Sequence, residues 1–242
     1  MKAQNVIAIV FASLLVAYVF FSLVFFPAMH SITICKEVKI NIRDDGERAY
    51  VTPQELKRYV DSACGTLVGD SLNNTRLSAV EKTLLEHPML RTAEAWYSPE
   101  GVLHLSVTQR QPVFRVMGDE NYYVDSDRRR MPVRSSTAAY VPVVSGRVSQ
   151  RFATGELYDF VLWTEQDPYW RSQIEQINIV SPKHIELIPR VGSGVVILGS
   201  LDDYPAKLRK LRKLYQNGFS SFGWNDYAEV DLRFRGQIVC RK

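Results

Sequence analysis

Cysteine is scarce: the 242 residues hold three, Cys35, Cys64 and Cys240, with no C-x-x-C spacing. An odd count that low excludes a disulfide-built scaffold, and the spacing excludes a thioredoxin-type redox motif and a zinc knuckle. Buried thiols are the expectation. Histidine is nearly as sparse: His30, His87, His104 and His184 stand apart, with no second ligand at i+2 or i+4, so zinc hydrolysis has no visible site. No G-x-x-x-x-G-K-[ST] loop is present, and "GSG" at Gly192 to Gly194 lacks the G-x-S-x-G elbow and the helix it should open. Asp125-Ser126-Asp127 begins like a calcium loop, but Arg128 to Arg130 follow and the required glycine and glutamate are missing, so a turn is expected. The net charge of +4 is mild and no aromatic-basic RNP-like stretch occurs, which gives nucleic-acid binding no support. The expectation is a protein without catalytic residues, metal or cofactor.

Hydrophobic residues make up 46% of the chain, unevenly spread. From Val6 to Phe26 every side chain is apolar except Ser13, Tyr18 and Ser22, a run of 21 residues without charge. At about 1.5 Å rise each, such a helix crosses a hydrocarbon layer of roughly 30 Å. A secretory signal would carry a shorter apolar region and an A-x-A-like cleavage site, which "FFPAMHS" does not offer. The reading is one N-terminal transmembrane helix over residues 6–26, after a short cytoplasmic segment over residues 1–5. The bulk is then exported, in a bacterium to the periplasm.

The roughly 205 residues beyond the helix suit two domains. "TQRQPVFRV" marks a boundary, where Pro112 interrupts before a new apolar run, dividing residues 36–111 from 112–242. In the first part, Val38, Ile40 and Ile42 alternate as a strand before the turn "DDGER". Thr52-Pro53-Gln54-Glu55 is a helix start with a capping box, followed by Leu56, Val60 and Ala63 on one face. A second helix begins near Asn74, with Leu77, Val80 and Leu84 at helical spacing, and stops at His87-Pro88. Arg91 to Tyr97, "SPEG" and Val102 to Gln109 read as a hairpin whose Trp96 is expected in the core. The predicted order is β-α-α-β-β.

In the second part, strands are expected at Val113 to Val116, Tyr122 to Asp125, Ile174 to Val180, His184 to Ile188 and Gly194 to Leu198. Helices are expected from Glu156 to Gln166 and from Tyr204 to Gln216, the latter capped by Asn217-Gly218. The fold class is therefore α+β, with a curved antiparallel sheet carrying packed helices after the first domain. In "YPAKLRKLRKLYQ", Tyr204, Leu208, Leu211 and Tyr215 form one stripe, and Lys207, Arg209, Lys210, Arg212 and Lys213 cluster on the rest. Such a helix covers a sheet with a solvated basic face, lies on an anionic membrane, or presents its basic face to an acidic partner. The stretch "AEVDLRFRGQIVCRK" reads as a strand through Val230, Leu232 and Phe234, a break at Arg235-Gly236, and a second strand through Gln237, Ile238, Val239 and Cys240.

Strand, helix, helix, strand, strand after a membrane helix resembles a POTRA domain, the polypeptide-transport-associated module. The whole chain is similar to the bacterial FtsQ cell-division family, called DivIB in some lineages. The stretches "YVTPQELKRYV", "HPML", "LHLSVTQRQPVFRV", "NYYVDSDRRRMPV", "IELIPRVGSGVVILG" and "YAEVDLRFRGQIVC" carry the likeness by their order and spacing. The family's cytoplasmic segment is often longer than the five residues here, so no role is carried over for it.

The resemblance implies a non-enzymatic scaffold of the divisome at the division septum. It would be a single-pass protein of the cell inner membrane, N-terminus cytoplasmic and bulk periplasmic, helping to couple early and late division proteins. The implied partners are FtsB-like and FtsL-like coiled-coil division proteins, the former adding a strand to the C-terminal sheet edge. Other divisome components would meet the POTRA-like domain near Arg91 to Tyr97. By the same resemblance the partner-binding residues are Arg233, Phe234, Arg235, Gly236, Gln237, Ile238, Val239, Cys240 and Arg241; the basic helix face, with Lys207 and Lys210, is expected to flank them and steer an acidic partner. Arg233 would bond an acidic side chain and Phe234 would give an aromatic contact, whereas residue type alone favours Leu232 and Phe234 in the core and Arg233 in solvent. The competing function is a POTRA-containing chaperone or translocation component for exported polypeptides. That alternative calls for several POTRA repeats or a C-terminal barrel, and neither is legible.

Overall fold

The computed structural model describes residues 3–25, 33–44, 49–134, 138–219 and 226–242, with side chains in the first of these segments described over 10–22. The far end of the predicted span at Phe26, His30 and most of the "DDGER" turn lie outside the described residues. Helix α1 covers Ala3–Phe25, 23 residues. Phe11, Leu14, Leu15, Phe20 and Phe21 all stand exposed on it, an apolar surface all round. The hydroxyls of Ser13 and Ser22 donate to the carbonyls of Val10 and Val19, each at 2.9 Å. Among the described residues no helix is long and apolar enough to cross a membrane.

The chain forms two compact units, one of residues 1–43, 53–86 and 93–107, the other of 44–52, 87–92 and 108–242. In the first, β1 (Thr33–Ile34) pairs antiparallel with β3 (Ser71–Leu72). Strand β2 (Glu37–Ile42) runs parallel to β5 (Val102–Gln109), and β5 neighbours β4 (Leu90–Tyr97) in a three-stranded sheet of order β2-β5-β4. Helix α2 (Pro53–Cys64) buries Leu56 and Val60, four residues apart on one face, and α3 (Asn74–Glu86) buries Val80 and Leu84. Leu103, Leu105 and Val107 complete that core from alternate positions of β5. The predicted β-α-α-β-β order is present, joined by β1 and β3, whose two residues each are too short to show a period. Ala63 is exposed rather than on the buried face. Trp96 is a correction too: it is 46% exposed, because β4 turns residues 93, 95 and 97 inward and Glu94 and Trp96 outward. Its ring stacks on His104 of the adjacent strand, 5.4 Å between centroids and 7° apart.

The second unit holds a nine-stranded sheet. Its strands are β6 (Pro112–Met117), β7 (Asn121–Asp125), β8 (Arg130–Pro132), β9 (Val143–Gly146), β10 (Ile174–Ser181), β11 (His184–Pro189), β12 (Val195–Gly199), β13 (Glu229–Asp231) and β14 (Val239–Arg241). They lie in the order β14-β13-β12-β11-β10-β9-β6-β7-β8. Helices α4 (Gln150–Thr154), α5 (Glu156–Gln166) and α6 (Pro168–Gln173) separate β9 from β10, and α7 (Tyr204–Leu214) separates β12 from β13. The expected antiparallel sheet is therefore a mixed one. The pairs β9–β10 and β12–β13 are parallel because each is joined through helices, the connection that returns a chain to the same end of a sheet; β6–β9 is parallel as well. Phe114, Leu157, Phe160, Ile177, Leu208 and Leu211 belong to the core, which sheet and helices build together. Asp125 is fully buried in the turn read from "DSD", accepting from Arg110 Nη1 at 2.6 Å and from the amides of Asp127 and Arg129 at 3.0 and 2.7 Å. Helix α7 ends at Leu214, and Asn217-Gly218 fall inside a π turn over Tyr215–Phe219 instead of capping it.

Candidate partner interface at the open sheet edge

Strand β13 lies between β12 and β14. Val195 N–H donates to the Ala228 carbonyl and Leu232 N–H to the Ile197 carbonyl, both at 2.9 Å, so these groups face β12, whereas the Ala228 amide already donates to the Arg241 carbonyl at 2.8 Å. Glu229 and Asp231 then turn theirs toward β14, where they stand opposite Arg241 and Val239. By the same alternation Val239 and Arg241 bond inward, and the amide and carbonyl of Cys240 face the other flank. Among the described residues no strand pairs with that flank. At the far end of the sheet, β8 closes on Pro132, which has no N–H to offer.

The predicted strand through Phe234 ends earlier. Asp231 has its carboxylate fully buried, accepting from the Arg233 amide at 3.0 Å, from Arg233 Nε at 2.9 Å and from Arg233 Nη2 at 2.6 Å. An aspartate that bonds the backbone two residues on curls the chain out of the sheet. Gly236 then takes φ +77°, and Lys210 Nζ reaches from α7 to the carbonyls of Phe234 and Gln237 at 2.8 and 3.4 Å. Residues 232–238 are thus a pinned loop, and the paired part of the second strand is Val239–Arg241 rather than Gln237 to Cys240.

Leu232 is buried and Phe234 is exposed, so the two members of the expected pair part company. Arg233, Arg235, Gly236 and Gln237 are exposed. Ile238 and Cys240 pack half-buried against the core cluster. Arg241 pairs with Glu229 across the ladder. The Arg233 guanidinium bonded to Asp231 holds that carboxyl below the usual carboxylate range, helped by the Arg233 amide and the charge of Arg241. Burial pushes the Cys240 thiol up, keeping it protonated. On α7, Lys207 Nζ donates to the Ser200 carbonyl at 2.8 Å, and burial draws its pKa down. Arg212 lies over the Tyr169 ring at 4.3 Å, while Arg209 and Lys213 are exposed. The structure so brings Lys210 to the β13–β14 loop and engages Lys207 elsewhere. Sequence reasoning gave Asp231 no role of its own; the D-x-R spacing, which lets a carboxylate meet both the amide and the guanidinium two residues on, is the available signal. Among the described residues no group of His, Cys, Asp and Glu could hold a metal ion.

The family model described as FtsQ/DivIB, C-terminal related, matches residues 111–241. The chain belongs to that family. A POTRA-like domain model matches residues 33–108. Cell division protein FtsQ of Salinibacter ruber (strain DSM 13855 / M31) is 26% identical over 218 residues, covering 79% of this chain and 78% of its own length. Cell division protein FtsQ of Rhodothermus marinus (strain ATCC 43812 / DSM 4252 / R-10) is 25% identical over 205 residues, covering 78% and 72%. Among solved structures, POTRA1-2 of the periplasmic domain of Omp85 from Anabaena matches at 16% identity with a TM-score of 0.27. That match covers 36% of this chain and 51% of the other, about half its length. Strands β6 to β14 all fall within the span of the FtsQ/DivIB model.

Proposed function

We propose that this family member is a non-enzymatic, membrane-anchored division scaffold whose β14 takes up a strand of an FtsB-like protein held in a coiled coil with an FtsL-like one. The observation that carries the reading is the open flank of β14, where Cys240 presents an N–H and a C=O to no strand among the described residues. Soluble proteins blunt such edges because they template pairing with another chain. Main-chain bonds give the affinity in strand addition, each about 1 kcal/mol net, and alternate side chains give the register. Arg235, Arg241 and Lys242 at the edge, with Arg209 and Lys213 on α7, favour an acidic incoming segment and speed its arrival.

Helix α1 is the anchor in this proposal, a single pass through the cell inner membrane with the N-terminus cytoplasmic and the bulk periplasmic, at the septum. A helix apolar on every side needs lipid or protein around it, and serine hydroxyls bonded to their own helix suit a medium without water. The outward Trp96–His104 stack gives the POTRA-like part a surface for other divisome components, through which early and late division proteins would be coupled.

Co-purification tests the reading. The full chain in detergent should retain an FtsB-like and FtsL-like pair, and Cys240→Pro should weaken that retention by about fivefold or more. Retention of unfolded outer-membrane proteins instead would favour the chaperone role, and undiminished retention of the pair by the proline variant would refute strand addition.

A further inference from the structure

Strand β4 ends the three-stranded sheet and runs for eight residues, against three for β14. The Ser98 N–H donates to the Val102 carbonyl at 2.9 Å, which begins the ladder to β5, and alternate positions back along β4, Trp96, Glu94 and Thr92, continue it. The stacked rings of Trp96 and His104 and the touching hydroxyls of Thr92 and Thr108 stand opposite one another in that register. Arg91, Ala93, Ala95 and Tyr97 therefore turn their N–H and C=O groups to the outer flank, with which no strand among the described residues pairs. An edge of that length templates pairing with another chain.

One side chain stands in the way. Glu81 Oε1, reaching from α3, accepts from the Ala95 N–H at 2.8 Å. Val80 and Leu84 of the same helix are fully buried, which fixes the rotation of α3 and holds the carboxylate beside the flank. At that distance the Glu81 oxygen occupies the place an incoming strand's carbonyl would take. The position matters, because ladder bonds fall on alternate residues. Any antiparallel register with a second β4 that engages three of the four outward positions uses Ala95. The flank is also self-complementary: with Ala95 on a two-fold axis, Ala93 of each copy stands opposite Tyr97 of the other, an isologous arrangement. The centre of that register is the amide Glu81 already holds. Leu85, one turn further along α3 on the same face, is 48% exposed.

We propose that Glu81 is an autoinhibitory stop: its carboxylate keeps β4 from pairing with the β4 of a second copy of this chain, and its displacement opens the edge to that pairing. The stop uses α3 and β4 alone and none of the residues at β14, so failure of either reading leaves the other standing.

The test measures self-association of the full-length chain in micelles by sedimentation equilibrium, with amide hydrogen exchange on the same samples. Glu81→Ala removes the acceptor while keeping a strong helix former, and should strengthen self-association about tenfold or more over the parent. Glu81→Gln keeps an amide oxygen in place and should stay within about threefold of the parent. Adding Ala95→Pro to Glu81→Ala removes the central N–H on the outer flank, where an edge strand tolerates proline, and should return association to the parental level. In the parent the Ala95 amide should exchange slowly at every protein concentration; in Glu81→Ala its protection should appear only as concentration rises, with Leu103 and Leu105 protected throughout as the sign of an intact sheet. Rapid exchange at Ala95 in the parent, parental association in Glu81→Ala, or association that survives Ala95→Pro would overturn the proposal.

Discussion

A proline scan of β14 separates a vacant flank from a merely terminal strand. The register sets Val239 against Asp231 and turns Cys240 outward, so neighbouring prolines remove donors on opposite sides of one strand. Proline is tolerated on an edge strand where its missing N–H faces solvent, so Cys240→Pro should leave the β13–β14 ladder in place. It removes one bond to an incoming strand, about 1 kcal/mol or roughly fivefold in affinity, and that is a floor because the ring also fills space beside the flank. Val239→Pro removes the ladder bond to Asp231, so it should lower the melting temperature by about 2–4 °C per kcal/mol lost and weaken binding through the detached strand. Cys240→Ala keeps the amide while trimming the side chain, and should bind within about twofold of the parent. The assay is interferometry with the immobilised FtsB-like segment, alongside calorimetric melting of each variant. Parental affinity in Cys240→Pro, or equal losses in Cys240→Ala and Cys240→Pro, would refute backbone pairing on this flank.

Other outcomes follow from the same geometry. Asp231→Asn should cost about 2 kcal/mol in urea unfolding near neutral pH, the worth of hydrogen bonds to a charged group. Because its folded pKa is depressed, the stability Asp231 adds is present above the ordinary value of about 3.9 and fades as pH falls through the lower folded value; the gap between parent and variant midpoints should therefore close with acidification. Lys210→Met frees the carbonyls of Phe234 and Gln237, and hydrogen exchange over residues 234–238 should accelerate with little change in the rest of the sheet. Asp125→Ala leaves Arg110, whose side chain is 11% exposed, without its partner, and should destabilise by about 3 kcal/mol or more in denaturant titration. Trp96→Ala should change unfolding free energy by under about 1 kcal/mol, since the ring is outside the core.

What could be read from the sequence tracks how local its cause is. Thr52-Pro53 and His87-Pro88 act within a turn of backbone, and α2 begins and α3 ends beside them. The apolar spacing of Leu157, Phe160 and Val161 marks α5 to its observed ends. Strand β9 escaped because four residues, Val143–Gly146, give too little alternation, and its parallel neighbours are set by helices that return the chain later. Trp96 was misplaced because size suggested burial, while the two-residue period of β4 decided which face it took. At the candidate site, alternation at Val230 and Leu232 marked a strand, but the end of that strand depended on a carboxylate whose bonds with Arg233 replace the ladder. The flank's vacancy is a property of strand order, which no window of residues contains.

The two ends of the large sheet are unequal, Pro132 at one and an unguarded amide at the other. Growth of this sheet by pairing is therefore favoured at β14, whose one flank stands open among the described residues. Saturation of that flank should occur at one segment. Two copies meeting through β14 would consume both positions at once, which makes self-association and recruitment mutually exclusive.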